Sequence, residues 1–268
     1  MKKIGILLLS LIMMGVWSCD PAKKAWNNFN LFPVEDDVKL GMQVSQQIES
    51  DRENFPLLPE RGNEEAYSYL RSMTNEILNS GEVDHRDKFA WKVSIIDDDE
   101  TLNAFVTPGG YIYVYTGLIL FLDNADDLAG VMGHEIAHAA YRHSTAQMTK
   151  LHGLDLVRQV VTGQSEAGLV GQIALSLTSL SFSRFHESQA DAASVRYLCK
   201  TRYNAAGAAS FFEKIQDQPQ PPAFLSTHPS PKNRVEEIKQ EAKERKCSTR
   251  TARNTEYNRI KKLLQGRK

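Results

Sequence analysis

Cysteine is scarce. Three residues of 268, at positions 19, 199 and 247, exclude a disulfide-dense scaffold. An excess of charge of one sign is missing too. Lysine and arginine number 32 against 33 aspartates and glutamates, so nothing indicates a nucleic-acid partner, which demands a clustered basic surface. No motif recurs at solenoid periods, which leaves no sign of a tandem helical-repeat module. No apolar run is long enough to make a comfortable membrane-spanning helix, because Ile4 to Val16 falls short of the roughly 20 residues required. What is present is 41% hydrophobic and 24% charged content, enough to bury one ordinary core with appendages.

Met1-Lys2-Lys3 followed by Ile4 to Val16 has the charged start and short apolar stretch of a secretory signal. Val16-Trp17-Ser18-Cys19 resembles a bacterial lipobox with Cys19 as the lipidated residue, although Trp17 is an unusual occupant. An ordinary signal peptide or an uncleaved anchor is the alternative. The expectation is therefore an exported, periplasmic, lipid-anchored protein, with Asp20 leaving the choice of membrane open. Residues 1–18 read as the signal, 19–32 as a linker, 33–247 as the domain and 248–268 as a basic tail. From Lys239 to Lys268 eleven Lys/Arg stand against three Asp/Glu, which suits a solvated helical end or contact with anionic headgroups. In an oxidising compartment Cys199 and Cys247 form one disulfide or remain two buried thiols.

The pattern along the chain is mostly helical with a small sheet, an α+β fold. Val34, Val38, Met42, Ser45 and Ile48 fall at helical spacing, as do Tyr67, Leu70, Thr74, Ile77 and Leu78. Alternation from Phe89 to Ile96 predicts a strand, Leu102 to Val106 a second extended segment, and Tyr111 to Thr116 another strand behind the turn Thr107-Pro108-Gly109-Gly110. Asp123 or Asn124 caps the next helix, with Asp126 and Asp127 at its positive end. Gly153 to Gly171 reads as two short helices around a flexible loop, and Ile173 to Leu180 as a buried or covering apolar segment. Helices are expected over 186–200, 205–217 and 231–246.

The capped helix carries His134-Glu135-Ile136-Ala137-His138. Histidines four apart project from one face and can share a metal ion, and the intervening glutamate can act as a general base on water. Neutral imidazoles suit zinc, and a catalytic site needs a third protein ligand. In a metzincin a glycine would follow the second histidine by three residues and a third histidine by six; Tyr141 and Ser144 stand there instead. His143, five residues on, points about 140° away on a continuous helix and reads as a surface or second-layer histidine, while His85 and His152 read as solvent-facing or structural. Glu187 and Asp191, one helical turn apart, are the better candidates. Glu187 would complete the ligand set, and Asp191 would accept from the outer nitrogen of His134.

Asn103-Ala104-Phe105, Pro108-Gly109-Gly110, Tyr115-Thr116-Gly117-Leu118, His134-Glu135-x-x-His138, Glu187-x-x-x-Asp191 and Thr227-His228-Pro229-Ser230 together resemble peptidase family M48, over roughly Pro33 to Ala242. The family includes HtpX-type, CAAX prenyl and Oma-type proteases and periplasmic quality-control lipoproteins; the resemblance is to the soluble, exported branch. It implies a gluzincin domain with a small sheet whose edge strand flanks the active-site helix, one Zn²⁺ per chain on His134, His138 and Glu187, and Glu135 as general base. A peptide would pair along the Tyr111 to Thr116 strand, with Asn103, Tyr111 and Tyr113 as contacts. His228 would stabilise an oxyanion, occupy the open metal position at rest, or simply sit in a loop. Arg234 would hold a site carboxylate or lie on the surface. The implied function is endopeptidase action on unfolded or misassembled envelope proteins; a zinc-stabilised chaperone or binding module with masked activity is the alternative, and a lipid-tethered adaptor with an accidental motif a third.

Overall fold

The computed structural model describes residues 29–150, 159, 162, 168–216, 218, 222–229 and 233–267. Residues 1–28, with the signal, Cys19 and most of the linker, lie outside the described residues, as do His152, Ser230 and most of 153–167.

Helix α1 (Val34–Ser50) and helix α2 (Glu64–Leu78) precede a three-stranded sheet of β1 (Lys92–Ile96), β2 (Ala104–Thr107) and β3 (Tyr111–Tyr115). β2 and β3 are an antiparallel hairpin registering Phe105 with Tyr113. Its turn places Gly109 at φ 74° and Gly110 at φ 82°, left-handed values that favour glycine. β1 joins the other side of β3 in parallel, Ser94 opposite Tyr113, so the order is β1-β3-β2.

That order corrects one expectation. The Tyr111 to Tyr115 strand is central, with both hydrogen-bonding sides occupied, so it offers no edge to a peptide. β2 is the edge strand that lies along the helix Ala125–Ala140. Alternation splits β3 between two cores: Ile112 and Val114 pack with α2 and the helix Ala125–Ala140, while Tyr113 packs with Leu40, Val44 and Ile48 of α1. The buried stripe of α1 is also rotated from the expected one. Leu40, Gly41, Val44 and Ile48 are buried, whereas Val38 and Met42 are exposed.

After the short α3 (Thr116–Phe121), α4 (Ala125–Ala140) runs through the centre of the molecule with all sixteen residues buried. Asn124 caps it, its Oδ1 accepting from the Asp127 N–H at 3.0 Å. Two glycines admit the neighbours: a Cβ on Gly130 would lie 2.1 Å from the Ala208 nitrogen, and one on Gly133 would lie 2.6 Å from Ser194 Oγ. The described residues 143–150 are also helical, and helices α5 (Leu169–Thr178), α6 (Arg184–Leu198), α7 (Gly207–Gln216), the short α8 (Ala223–Thr227), α9 (Arg234–Glu244) and α10 (Thr255–Gln265) follow. Among the described residues no helix is long and apolar enough to cross a membrane.

The folded unit does not stop at 247. Tyr257, Ile260 and Leu264 of α10 are buried in the main core, each contributing about 1.5–3 kcal/mol of apolar burial. Cys199, after α6, is bonded to Cys247, after α9, with Cα atoms 4.9 Å apart. The bridge closes a loop that, in a chain-entropy picture, stabilises by about 4 kcal/mol.

Candidate metal centre

Helix α4 presents His134, Glu135 and His138; α6 presents Glu187 and Asp191; the segment after α8 presents His228, and the first residue of α9 is Arg234. Ser183 sets the start of α6 by accepting from the His186 N–H at 3.2 Å, which places Glu187 in the first turn. The backbone bond from His228 N–H to Phe224 O at 2.8 Å and a ring stack on Phe224 at 4.2 Å fix His228 against the same centre.

Four donor atoms converge there. One from each of His134, His138, Glu187 and His228 lie within 4.8 Å of one another, all on buried side chains. His134 Nε2 is 2.9 Å from His138 Nε2 and 3.2 Å from His228 Nδ1. Glu187 Oε1 is 3.2 Å from His228 Nδ1 and 3.4 Å from His138 Nε2. Tetrahedral zinc with bonds near 2.0–2.1 Å needs ligand atoms about 3.3 Å apart, so spacing and donor chemistry both fit Zn²⁺. Two carboxylate oxygens that accept no hydrogen bond leave lone pairs for a cation. Glu187 Oε2 and Glu135 Oε1 are buried without a hydrogen-bond partner among the described residues.

Behind His134 the surroundings are charged. Its Nδ1 lies 2.9 Å from Asp191 Oδ1. Arg234, fully buried, donates from Nε to Asp191 Oδ2 at 2.7 Å and from Nη2 to Oδ1 at 2.8 Å. Its Nη2 is also 3.0 Å from Glu187 Oε2, an ion pair outside hydrogen-bonding geometry, and the guanidinium carbon sits 3.6 Å above the Phe212 ring. Burial depresses the His134 pKa, but Asp191 and Glu187 outweigh it and carry it up to about 9. Burial would lift the Glu187 carboxyl, yet His228, His134 and His138 hold it well below its usual range.

Behind His138 the surroundings are neutral. Its Nδ1 lies 3.0 Å from His143 Nδ1, and burial, then the charge on His134, push its pKa well below the usual histidine value. His143 is fully buried, the second-layer position of the two expected, but its ring faces His138 where it was expected to point away. The 140° estimate assumes one continuous helix, whereas α4 stops at Ala140 and Arg142 adopts φ 58°. That left-handed residue turns the chain so that His143 folds back beneath His138. Nothing in Tyr141-Arg142 marks a stop, since neither is glycine or proline.

Asn103 is buried, its Oδ1 accepting from the Ala104 N–H at 2.9 Å and its main-chain O from the Tyr115 N–H at 3.1 Å. It therefore orders the start of β2. Tyr113 is buried in the α1 core and Tyr111 is half-buried, so neither is brought to the donor cluster. His85 is half-buried and packs on Phe89.

A sequence profile described as peptidase family M48 matches residues 64–242. The chain belongs to peptidase family M48. Its donor set is that of a zinc metallopeptidase, and the α+β architecture is the family's mostly helical domain with a small sheet. Over 166 residues it is 29% identical to the mitochondrial metalloendopeptidase OMA1 of Bos taurus, covering 55% of this chain and 32% of that protein. Over 162 residues it is 30% identical to the putative beta-barrel assembly-enhancing protease of Vibrio cholerae, covering 54% and 34%. The beta-barrel assembly-enhancing protease of Escherichia coli K12 is 29% identical over 164 residues, covering 55% and 34%. The match thus spans about a third of the length of these relatives.

Proposed function

We propose that this M48 chain is a zinc-dependent endopeptidase that cleaves unfolded or misassembled proteins of the cell envelope and is held latent at rest by His228. The observation that carries this is the convergence of His134, His138, Glu187 and His228 beside Glu135, every one of them at most 1% exposed. When bound on His134, His138 and Glu187, Zn²⁺ supplies a Lewis acid that acidifies water and polarises a carbonyl. Glu135 is the general base. Placed beside the donor cluster on the same helix turn, its carboxylate is the group able to take the proton of the attacking water and return it to the leaving amine.

His228 turns Nδ1 toward the other three donors and Nε2 toward Glu135, 3.4 Å from its Oε1. That orientation supports a resting occupant of the fourth position over a free oxyanion donor. We assign substrate pairing to the free side of edge strand β2, whose four residues are buried in this structure and must be uncovered before a backbone can pair there, giving recognition that reads main chain more than side chain. The envelope setting is supported by the lipobox-like Val16 to Cys19 and by similarity to relatives named beta-barrel assembly-enhancing proteases. Lipid anchoring through Cys19 would bring the enzyme to a membrane.

Occlusion of the site also favours a second reading, a zinc-stabilised binding module. One comparison separates them: zinc content and cleavage of an unfolded protein for wild type, Glu135→Gln and His228→Ala. The enzyme reading expects one zinc in all three, cleavage reduced about 10²–10⁴-fold in Glu135→Gln and raised in His228→Ala. Zinc with no cleavage by either wild type or His228→Ala establishes the binding module. Absence of zinc sinks both.

A further inference from the structure

His143 is placed as no surface histidine would be. We propose that it is a positioning residue of the metal centre: its Nδ1 accepts the Nδ1–H of His138 and so holds the Nε2 lone pair of that ligand on the donor cluster. The inference rests on the reading of His138 as a metal ligand.

The assignment of protons follows from the geometry. His138 reaches the cluster through Nε2, 2.9 Å from His134 Nε2, and a ligating nitrogen carries no proton. In a neutral ring the proton is then on Nδ1. That atom is 3.0 Å from His143 Nδ1, which must accept, so the proton of a neutral His143 is on Nε2. His143 Nε2 in turn lies 3.1 Å from Gln189 Oε1, an acceptor. Each group leaves the next a single consistent choice, and the relay ends on α6, two residues beyond Glu187.

Three further contacts make this a fixed device. The His143 ring is stacked on His186, 4.2 Å between centroids and 15° between planes. The turn that delivers it is held by Arg142, which donates to Asp37 and to the main-chain oxygens of Phe32 and Pro33. Thr145 donates to Asp37 Oδ1 at 2.7 Å. A neutral acceptor is also what the charge balance demands. Glu135, Glu187 and Asp191 are offset by Arg234 and a divalent cation, and a fourth carboxylate behind His138 would be an uncompensated buried charge.

The test measures zinc affinity of the full chain by chelator competition, with the visible spectrum of the Co²⁺ form as a readout of ligand geometry. His143→Leu removes the acceptor, whereas His143→Asn places an oxygen near the position of Nδ1. Outer partners of ligand histidines are worth about 10–100-fold in affinity, and a neutral acceptor belongs near the lower bound. His143→Leu is expected to weaken zinc about tenfold and shift the Co²⁺ bands, with His143→Asn recovering to within about threefold of wild type. Unchanged affinity in His143→Leu, or equal weakening in both variants, overturns the proposal. If His143→Leu does not fold, Gln189→Met at a half-exposed position decides: about threefold weaker zinc supports the relay, and unchanged affinity overturns it. His138→Ala separates the two layers. If it binds zinc like wild type, the ligand reading itself fails; if it loses zinc while His143→Leu and Gln189→Met keep it, the positioning role alone fails.

Discussion

His134 and His138 stand one turn apart on the same helix, yet their outer nitrogens meet opposite surroundings. His134 leans on Asp191, which is clamped by the buried Arg234. His138 leans on another imidazole, which leans on an amide. One flank is built from full charges and the other from neutral dipoles. The difference teaches that a metal centre needs orientation at every ligand but charge compensation only once. A second charged clamp would add desolvation cost without adding geometry.

The largest test of that contrast is Arg234→Met. It leaves Asp191 and Glu187 buried without the guanidinium, with His134 as the cation still beside them both, and loss of one member of a buried charged set costs about 3–5 kcal/mol. Urea unfolding of the metal-free protein should show that loss. His143→Leu, which strands no charge, should cost less; equal losses would erase the distinction between the flanks.

Next comes Asp37, which supports the neutral flank from outside. Burial lifts its carboxyl from an ordinary 3.8 to about 6, against the pull of Arg142 and Thr145. Between those values the folded chain holds a proton that the unfolded chain has released. Stability therefore falls as pH rises from about 4 to about 6, by up to about 3 kcal/mol. Asp37→Asn should remove that slope in a series of denaturation curves. A wild-type contribution that grows over the same window would mean that the Arg142 pair prevails over burial.

The smallest of these effects is expected at Asp191→Asn. Asparagine keeps an acceptor near His134 Nδ1 but removes the charge, so zinc affinity measured by competition should fall about 10–100-fold. A loss no larger than that of His143→Leu would show that charge behind His134 adds nothing beyond orientation.

Most of the charged flank could be read from the sequence, because spacing four along a helix is a property of adjacent residues. His134 with His138, and Glu187 with Asp191, needed only that periodicity. The neutral flank could not. It depends on Arg142 leaving the helical region, and a left-handed arginine is stabilised by Asp37, Phe32 and Pro33, about a hundred residues away in the chain. Strand order was hidden for a similar reason. Tyr111 to Tyr115 alternates whether its second neighbour is water or β1, and only the parallel pairing with Lys92 to Ile96 makes it central. The start of β1 was overextended because Phe89 and Trp91 continue the alternation, while Trp91 in fact sits at φ 45° and ends it. For α1, Val38 and Met42 kept helical spacing on the wrong stripe, which Gly41 against Pro108 decides by contact.

The bond between Cys199 and Cys247 sets a boundary condition on how the centre can open. His228 and Arg234 both lie between those cysteines, so they belong to a covalent ring whose closure point is the far end of the helix bearing Glu187. A ring cannot be swung aside like a door; it can only redistribute its own slack. Under the latency proposed for His228, its withdrawal is an excursion within the ring whose anchorage at Cys199 and Cys247 stays in place.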